Sequence, residues 1–244
     1  MKNIGIISQV RMGSTRLPGK VLLPAAGIPL LTHHVRRLRQ SRLPIILATT
    51  TEPVDDVLAA YAHEHNLPCY RGSETDVLSR YYEAALQVGL DAVVRVTSDC
   101  PLIDGELVGA AAERFMAEQN PLVYRSNSIV RSFPRGLDFE IFSFQMLQEA
   151  YEQATSPYER EHVTPYLKTN PAALPRVIFR DEIYAEGDFS QFRITLDTPE
   201  DYAVIQALIE QHQAADLPCA DLIRLLLAQP ELMALNAHIE QKAG

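Results

Sequence analysis

Short apolar runs alternate with longer amphipathic stretches along this chain. Seven runs have the length and composition of strands: residues 4–8, 45–49, 92–97, 122–125, 139–142, 176–179 and 192–196. Apolar spacing of helical period fills the gaps between the early ones, over 30–40, 54–65, 76–88 and 106–118. Further helical patterns cover 145–154, 158–168, 200–213 and a tail from Ala220. Strand and helix in alternation predict an α/β fold with a mostly parallel sheet. The stretch 170–175 reads as a loop. No internal repeat and no linker-like segment interrupts the 244 residues, which predicts a single domain over 1–244.

In open sheets of this kind, ligands bind at the carboxyl ends of the strands, in the loops leading to helices. That rule ranks the polar segments. Three of them follow an apolar run directly: the loop QVRMGSTRLPGK (9–20) after the first run, Thr97-Ser98-Asp99 after AVVRV, and Asp197 after RITL.

Charge sharpens the picture. A net charge of −9 argues against a general nucleic-acid binder. Yet residues 1–51 hold eight basic groups and no acidic one, a balance of +8 against −17 for the remainder. Arg36, Arg37, Arg39 and Arg42 lie beside the helical spacing Leu31, Val35, Leu38 and are expected on a solvated helix face. Arg11, Arg16 and Lys20 have no such pattern around them. With Gly13 and Gly19 free to bend and Ser14 adding a hydroxyl, their loop carries the donors of a phosphate cradle. It is not a Walker loop, because five residues separate its glycines and Val21 follows Lys20, and it is not a GxGxxG fingerprint.

Other polar residues have local explanations. Asp104 and Thr198 read as helix N-caps, with Pro199 in the first turn and Asp201 at the capping-box position, so Glu200 and Asp201 are expected to be structural. Ser73 and Asp76 also suit capping. His33, His34, His63 and His65 sit on helical patterns and are expected to be structural. Cys69, Cys100 and Cys219 suggest neither a disulfide framework nor a zinc site. No run of eighteen apolar residues occurs and the first residues lack a signal-peptide layout, so a cytoplasmic protein without a membrane partner is expected.

RMGSTRLPGK resembles the R-x-G-S-x-R-L-P-x-K signature of the sugar cytidylyltransferases. The likeness recurs in order at YRGSETDVLSRYYEAA (70–85), RVTSDCPLID (95–104), FPRGLDFEIFS (133–143), REHVTPYL (160–167) and ITLDTPEDY (194–202). It is to the spore-coat polysaccharide F-type branch, related to the CMP-Kdo and CMP-acylneuraminate synthetases, and covers nearly the whole chain. It implies a single-domain, Rossmann-like three-layer α/β/α nucleotidyltransferase of GT-A-like type, with a mostly parallel mixed sheet and a small strand or hairpin insertion at about 123–142. The implied reaction joins CTP to a sugar or sugar acid, giving a CMP-sugar and pyrophosphate for surface polysaccharide or glycan biosynthesis. A homodimer through the segment 123–142 is implied as well.

The resemblance also distributes roles. Arg11, Gly13, Ser14, Arg16 and Lys20 would hold the triphosphate, with Arg11 and Lys20 acting in catalysis. Arg71 and Ser73 would contact cytosine. Mg²⁺ is the implied cofactor, held by Asp99 and Asp197. Some acylneuraminate enzymes carry a second aspartate two residues before the latter, where this chain has Thr195. Arg135, Asp138, Glu140, Arg160 and His162 are the acceptor candidates, and Arg135, Arg160 or Arg193 could face an acceptor carboxylate. Asp138 and Glu140 share one strand face, as a metal-binding D-x-E pair or as a solvated edge. A nucleotide-sugar-dependent glycosyltransferase would use that pair, and this alternative stays open beside a non-catalytic nucleotide-binding protein.

Overall fold

The computed structural model describes residues 3–170, 174–177 and 187–240. Seven strands form one sheet in the order β5 (Cys69–Gly72), β4 (Ile45–Thr50), β1 (Ile4–Gln9), β6 (Ala92–Thr97), β8 (Glu140–Ser143), β7 (Val123–Ser126), β9 (Leu174–Val177). The pairs among β5, β4, β1 and β6 are parallel, β8 runs antiparallel to both its neighbours, and β7 pairs β9 in parallel. The sheet is therefore mixed and mostly parallel, as the alternation predicts. A small antiparallel ladder, β2 (Pro24–Ala25) with β3 (Ile28–Pro29), stands apart from it. The segment 123–142 contributes β7 and the start of β8 to the main sheet itself.

Strand alternation sorts the core into two layers. Ile6, Val94 and Val96 face one side, packed with Leu30 and Leu38 of α1 (Leu30–Leu38) and Val108 and Phe115 of α4 (Gly105–Glu118). Val204 and Leu208 of α8 (Pro199–His212) and Leu222 of α9 (Cys219–Ala228) complete that side. Ile7, Ile46 and Val93 face the other, against Leu78 and Tyr81 of α3 (Val77–Val88) and Leu147 of α5 (Phe144–Gln153). Helices thus cover both faces, and β4 is buried along its whole length, as a central parallel strand must be. A third cluster under the opening loop joins Val10, Val21 and Leu31 to Leu58 and Tyr61 of α2 (Asp56–Glu64).

Register decides where the loops emerge. Gln9 stands beside Thr97, so the loop after β1 and the Asp99 turn after β6 leave the sheet side by side. Thr50 likewise stands beside Gly72.

Four expectations need correction. The run 192–196 forms no strand; it is extended and makes one bridge, Arg135 with Arg193, because its partners, the segment 133–137 and the Asp99 turn, are themselves irregular. The pattern 158–168 is two short helices, α6 (Pro157–His162) and α7 (Pro165–Thr169), since Val163 breaks it at φ 70 and Pro165 restarts it. The expected loop 170–175 ends early, because β9 begins at Leu174; residues 178 and 179 of the expected strand lie outside the described residues. Arg37 is not on a solvated face. It is buried, and its guanidinium donates to the carbonyls of Ile103, Ala215 and Leu217 at 2.6, 2.8 and 3.0 Å, supplying donors to acceptors at the starts of α4 and α9.

Candidate active site

The opening loop is held by backbone geometry before any ligand is considered. The carbonyl of Met12 accepts from the amides of Ser14 (2.8 Å) and Gly19 (3.1 Å), which closes the loop into a ring. Gly19 has φ 68, a left-handed conformation that a side chain would strain. The Met12 amide donates to Asp55 at 2.7 Å, anchoring the ring to the segment after β4. The ring delivers Lys20 inward.

Lys20 Nζ donates to Asp99 at 3.0 Å and to Asp197 at 2.8 Å. Two carboxylates 98 positions apart thus meet on one ammonium. The fold joins them through backbone: the Leu196 amide donates to the Asp99 carbonyl at 2.8 Å, and Thr195 Oγ1 adds a bond to the same carbonyl at 3.3 Å. Thr195, at the place of a second aspartate, therefore braces the first. Arg16 reaches Asp197 at 3.4 Å, and the buried Arg193 binds it at 2.8 Å while also pairing with Asp201. Asp201 and Thr198 form the expected capping box. Burial opposes the charge of Asp99, but the Lys20 ammonium and hydrogen bonds from Thr97 and Lys20 together reverse it and hold the carboxyl down at about 2. Burial likewise opposes the charge of Lys20, and the two carboxylates more than offset it, so its pKa is raised.

Arg16, Lys20, Asp99 and Asp197 line a cavity of about 330 Å³, with Arg11, Ser14 and His162 also in its wall. A second cavity of about 570 Å³ shares Arg95, Thr97 and His162 with the first and adds Arg135, Asp138 and Glu140. His162 stands at the junction. It is followed by a γ-turn, the Thr164 amide bonding the His162 carbonyl at 2.8 Å around the fully buried, left-handed Val163. A β-branched residue in that conformation is strained, and such strain gathers at functional sites.

Not every expected contact reaches a cavity. Gly13 shapes the ring but lines neither space. The Arg71 guanidinium donates to the carbonyls of Thr50 and Glu52 at 2.9 and 3.1 Å and pairs with Asp56, turned away from both cavities. Ser73 accepts from the Asp76 amide, and Asp76 caps α3. Arg160 clamps that cap, pairing with Asp76 and donating to the Tyr151 carbonyl at 2.7 Å. Glu140 lines the second cavity, but its oxygens are taken by Arg95, Tyr124, Thr164 and Lys168. Asp138 pairs with Arg131. Asp138 and Glu140 are therefore neither a solvated edge nor a free metal pair. Glu140 is held at about 2: burial pushes it up, and Arg95 and Lys168 more than reverse that.

Two cations in the wall of the first cavity were not expected. Arg80 lies on the inward face of α3 among Val77, Leu78, Tyr81 and Ala84, and Arg95 interrupts an apolar central strand. A cation at an inward position of either element was the available signal. Beneath the wall, His34 is structural, as expected. Its Nδ1–H donates to the Cys100 carbonyl at 2.8 Å, so neutral Nε2 accepts from Ser8, whose hydroxyl accepts in turn from Ser98. Burial pushes His34 down to about 4. The chain ties α1 to the turn that carries Asp99.

What the arrangement can do chemically is bind a polyanion beside two acids and hold a second ligand in the adjoining space. Residues 4–226 match the family model for cytidylyltransferases, and the chain belongs to that family. It is 35% identical over 239 residues to the spore coat polysaccharide biosynthesis protein SpsF of Bacillus subtilis, covering 95% of this chain and 97% of that protein. It is 35% identical over 116 residues to the 3-deoxy-manno-octulosonate cytidylyltransferase of Brucella canis, 46% of this chain and 45% of that one. The structure of a cytidylyltransferase from Leptospira borgpetersenii superposes with a TM-score of 0.88 at 33% identity, covering 98% of this chain and 99% of the other.

Among the described residues no three His, Cys, Asp or Glu side chains converge as a metal cage. Two carboxylates do converge, on Lys20. That donor set fits Mg²⁺, which takes one or two carboxylates and completes its shell with water and substrate phosphates.

Proposed function

We propose that the chain transfers the cytidylyl group of CTP to a hydroxyl of a sugar or sugar acid, giving a CMP-sugar and pyrophosphate for polysaccharide or glycan synthesis. The observation that carries this reading is the meeting of Lys20, Asp99 and Asp197 at 2.8–3.0 Å in the wall of a cation-lined cavity. Arg11, Arg16 and Lys20 bind the triphosphate and offset its charge as the acceptor oxygen attacks the α-phosphorus. The acceptor lies in the second cavity, where Arg135 offers a cation whose nearest acid, Asp138, is already committed to Arg131. That favours an acceptor bearing a carboxylate. His162, shared by the two cavities, stands where the attacking hydroxyl gives up its proton. Mg²⁺, held by Asp99 and Asp197, supplies Lewis-acid stabilisation of phosphate charge when bound. Positioning does much of the rest, since both ligands enter one fixed crevice.

The same reading carries a homodimer through the segment 123–142, where Ile129 and Val130 stand exposed. Light scattering of the chain and of an Ile129→Lys variant tests it: a dimer that becomes a monomer supports it, and a monomeric parent contradicts it. Thermal melting with CTP, UTP, ATP, GTP and a UDP-sugar, each with and without Mg²⁺, tests the nucleotide. A ligand that binds only the native state raises the melting point. A shift with CTP that needs Mg²⁺ is expected. A shift with the UDP-sugar and none with any triphosphate contradicts the reading.

A further inference from the structure

Arg80 is a buried arginine, 2% exposed, whose Nε and Nη1 donors meet no acceptor among the described residues. Its stem passes under Gly72 at the end of β5, where a Cβ would come within 2.9 Å of Arg80 Cγ. The head lines the first cavity with Val77, Val10 and Arg11. The charged groups facing it are Arg11, which repels it, and Asp55 and Glu74, which attract it. Neither acid is seen to pair with it directly: Asp55 accepts from the Met12 amide and the Thr50 hydroxyl, and Glu74 pairs with Arg11. Burial lowers the pKa of Arg80 and outweighs the attraction of Asp55 and Glu74, so its charge is only partly offset. Leaving a buried charge unpaired is strongly destabilising, and a second cation nearby adds to the strain.

An incoming anion removes both penalties at once. We infer that Arg80 is a nucleotide-binding residue whose buried guanidinium pairs with a phosphate of the triphosphate, in the cavity whose wall also carries Arg11 and Lys20. The inference rests on the triphosphate reading of this cavity but not on the identity of the base or the acceptor. A neutral pyrimidine carbonyl would satisfy one donor and leave the charge uncompensated, so phosphate is the better match. Arg80 is then part of the substrate-binding wall, and the ligand-free protein is less stable for carrying it.

The test uses the full chain and its Arg80→Met and Arg80→Lys variants, with inorganic tripolyphosphate and cytidine as separate probes by calorimetry. Arg80→Met is expected to weaken tripolyphosphate by roughly 10- to 100-fold and leave cytidine unchanged, the usual range for a lost hydrogen bond to a charged group. Arg80→Lys is expected to retain part of the affinity. The ligand-free Arg80→Met protein is expected to melt higher than the parent by about 2–4 °C, because an unpaired charge has gone. A merely structural arginine would lower that melting point. Unchanged tripolyphosphate affinity in Arg80→Met, a loss confined to cytidine, or a lower melting point without ligand would each overturn the inference. A parent that binds tripolyphosphate through Arg80 yet makes no CMP-sugar would sink the cytidylyl-transfer reading and leave this one standing.

Discussion

The two adjoining cavities place their unmatched charge differently. In the second, both acids are already bound by cations from the protein: Asp138 by Arg131, and Glu140 by Arg95 and Lys168. Arg135 is the cation whose nearest acid is committed elsewhere. In the first, Lys20 is matched by two carboxylates, but among the described residues Arg80 Nε and Nη1 meet no acceptor and Arg11 pairs with the exposed Glu74 at 3.4 Å. Each wall carries two more cations than acids, but in the first the unmatched charge sits on the buried Arg80 and on Arg11, whereas in the second it falls on Arg135. A polyanion suits the former. A hydroxyl-rich ligand with a single negative charge suits the latter. The shared wall of Arg95, Thr97 and His162 is where the two would react.

The sharpest way to break this contrast is at the converging acids. Asp99→Asn is expected to lower kcat for pyrophosphate release on the order of 10³-fold, the scale of losing one transition-state electrostatic contact in a closed site. Steady-state rates at saturating CTP check it. Arg135→Ala comes next. It should raise KM for a carboxylate-bearing acceptor by roughly 10-fold or more while leaving KM for CTP unchanged, which separates the two cavities kinetically. An equal rise in both would merge them.

Acid stability distinguishes the regions as well. His34, under the first cavity, has a folded pKa of about 4, below its unfolded value of 6.5. The unfolded chain therefore binds the extra proton first. Stability is full above pH 6.5 and falls on the order of 3 kcal/mol as pH drops to about 4. Glu140, in the second cavity, has a folded pKa of about 2 against 4.5 unfolded. Its contribution, also on the order of 3 kcal/mol, is present above pH 4.5 and is lost as pH falls through 2. Urea midpoints against pH should show two steps, with His34→Gln flattening the upper, and Glu140→Gln reducing but not removing the lower, which Asp99 shares. The smallest effect belongs to Gly19→Ala, which places a side chain at φ 68 and is expected to cost about 1–2 kcal/mol. That lowers the melting point by roughly 2–8 °C.

Legibility followed locality. The helix caps at Asp76, Asp104 and Thr198 were readable because each depends on three or four consecutive residues. Lys20, Asp99 and Asp197 were readable because each directly follows an apolar run or its bend. Arg80 and Arg95 were not singled out, although a cation inside an apolar pattern was visible, because burial depends on what packs above. Arg71 and Arg160 sit in matching segments, yet their guanidinium groups serve the carbonyls after β4 and the cap of α3. The run 192–196 looks like any other strand, but pairing needs a partner strand that sequence spacing cannot reveal.

The central claim is that a cytidylyl group passes from the first cavity to the second. The direct measurement is a single incubation of the chain with CTP labelled at the α-phosphate, Mg²⁺ and a panel of sugar acids and neutral sugars. Label is expected to move from CTP onto one carboxylate-bearing acceptor, with one pyrophosphate released for each product. Label remaining in CTP across the panel, while a UDP-sugar is consumed in a parallel incubation, would contradict it.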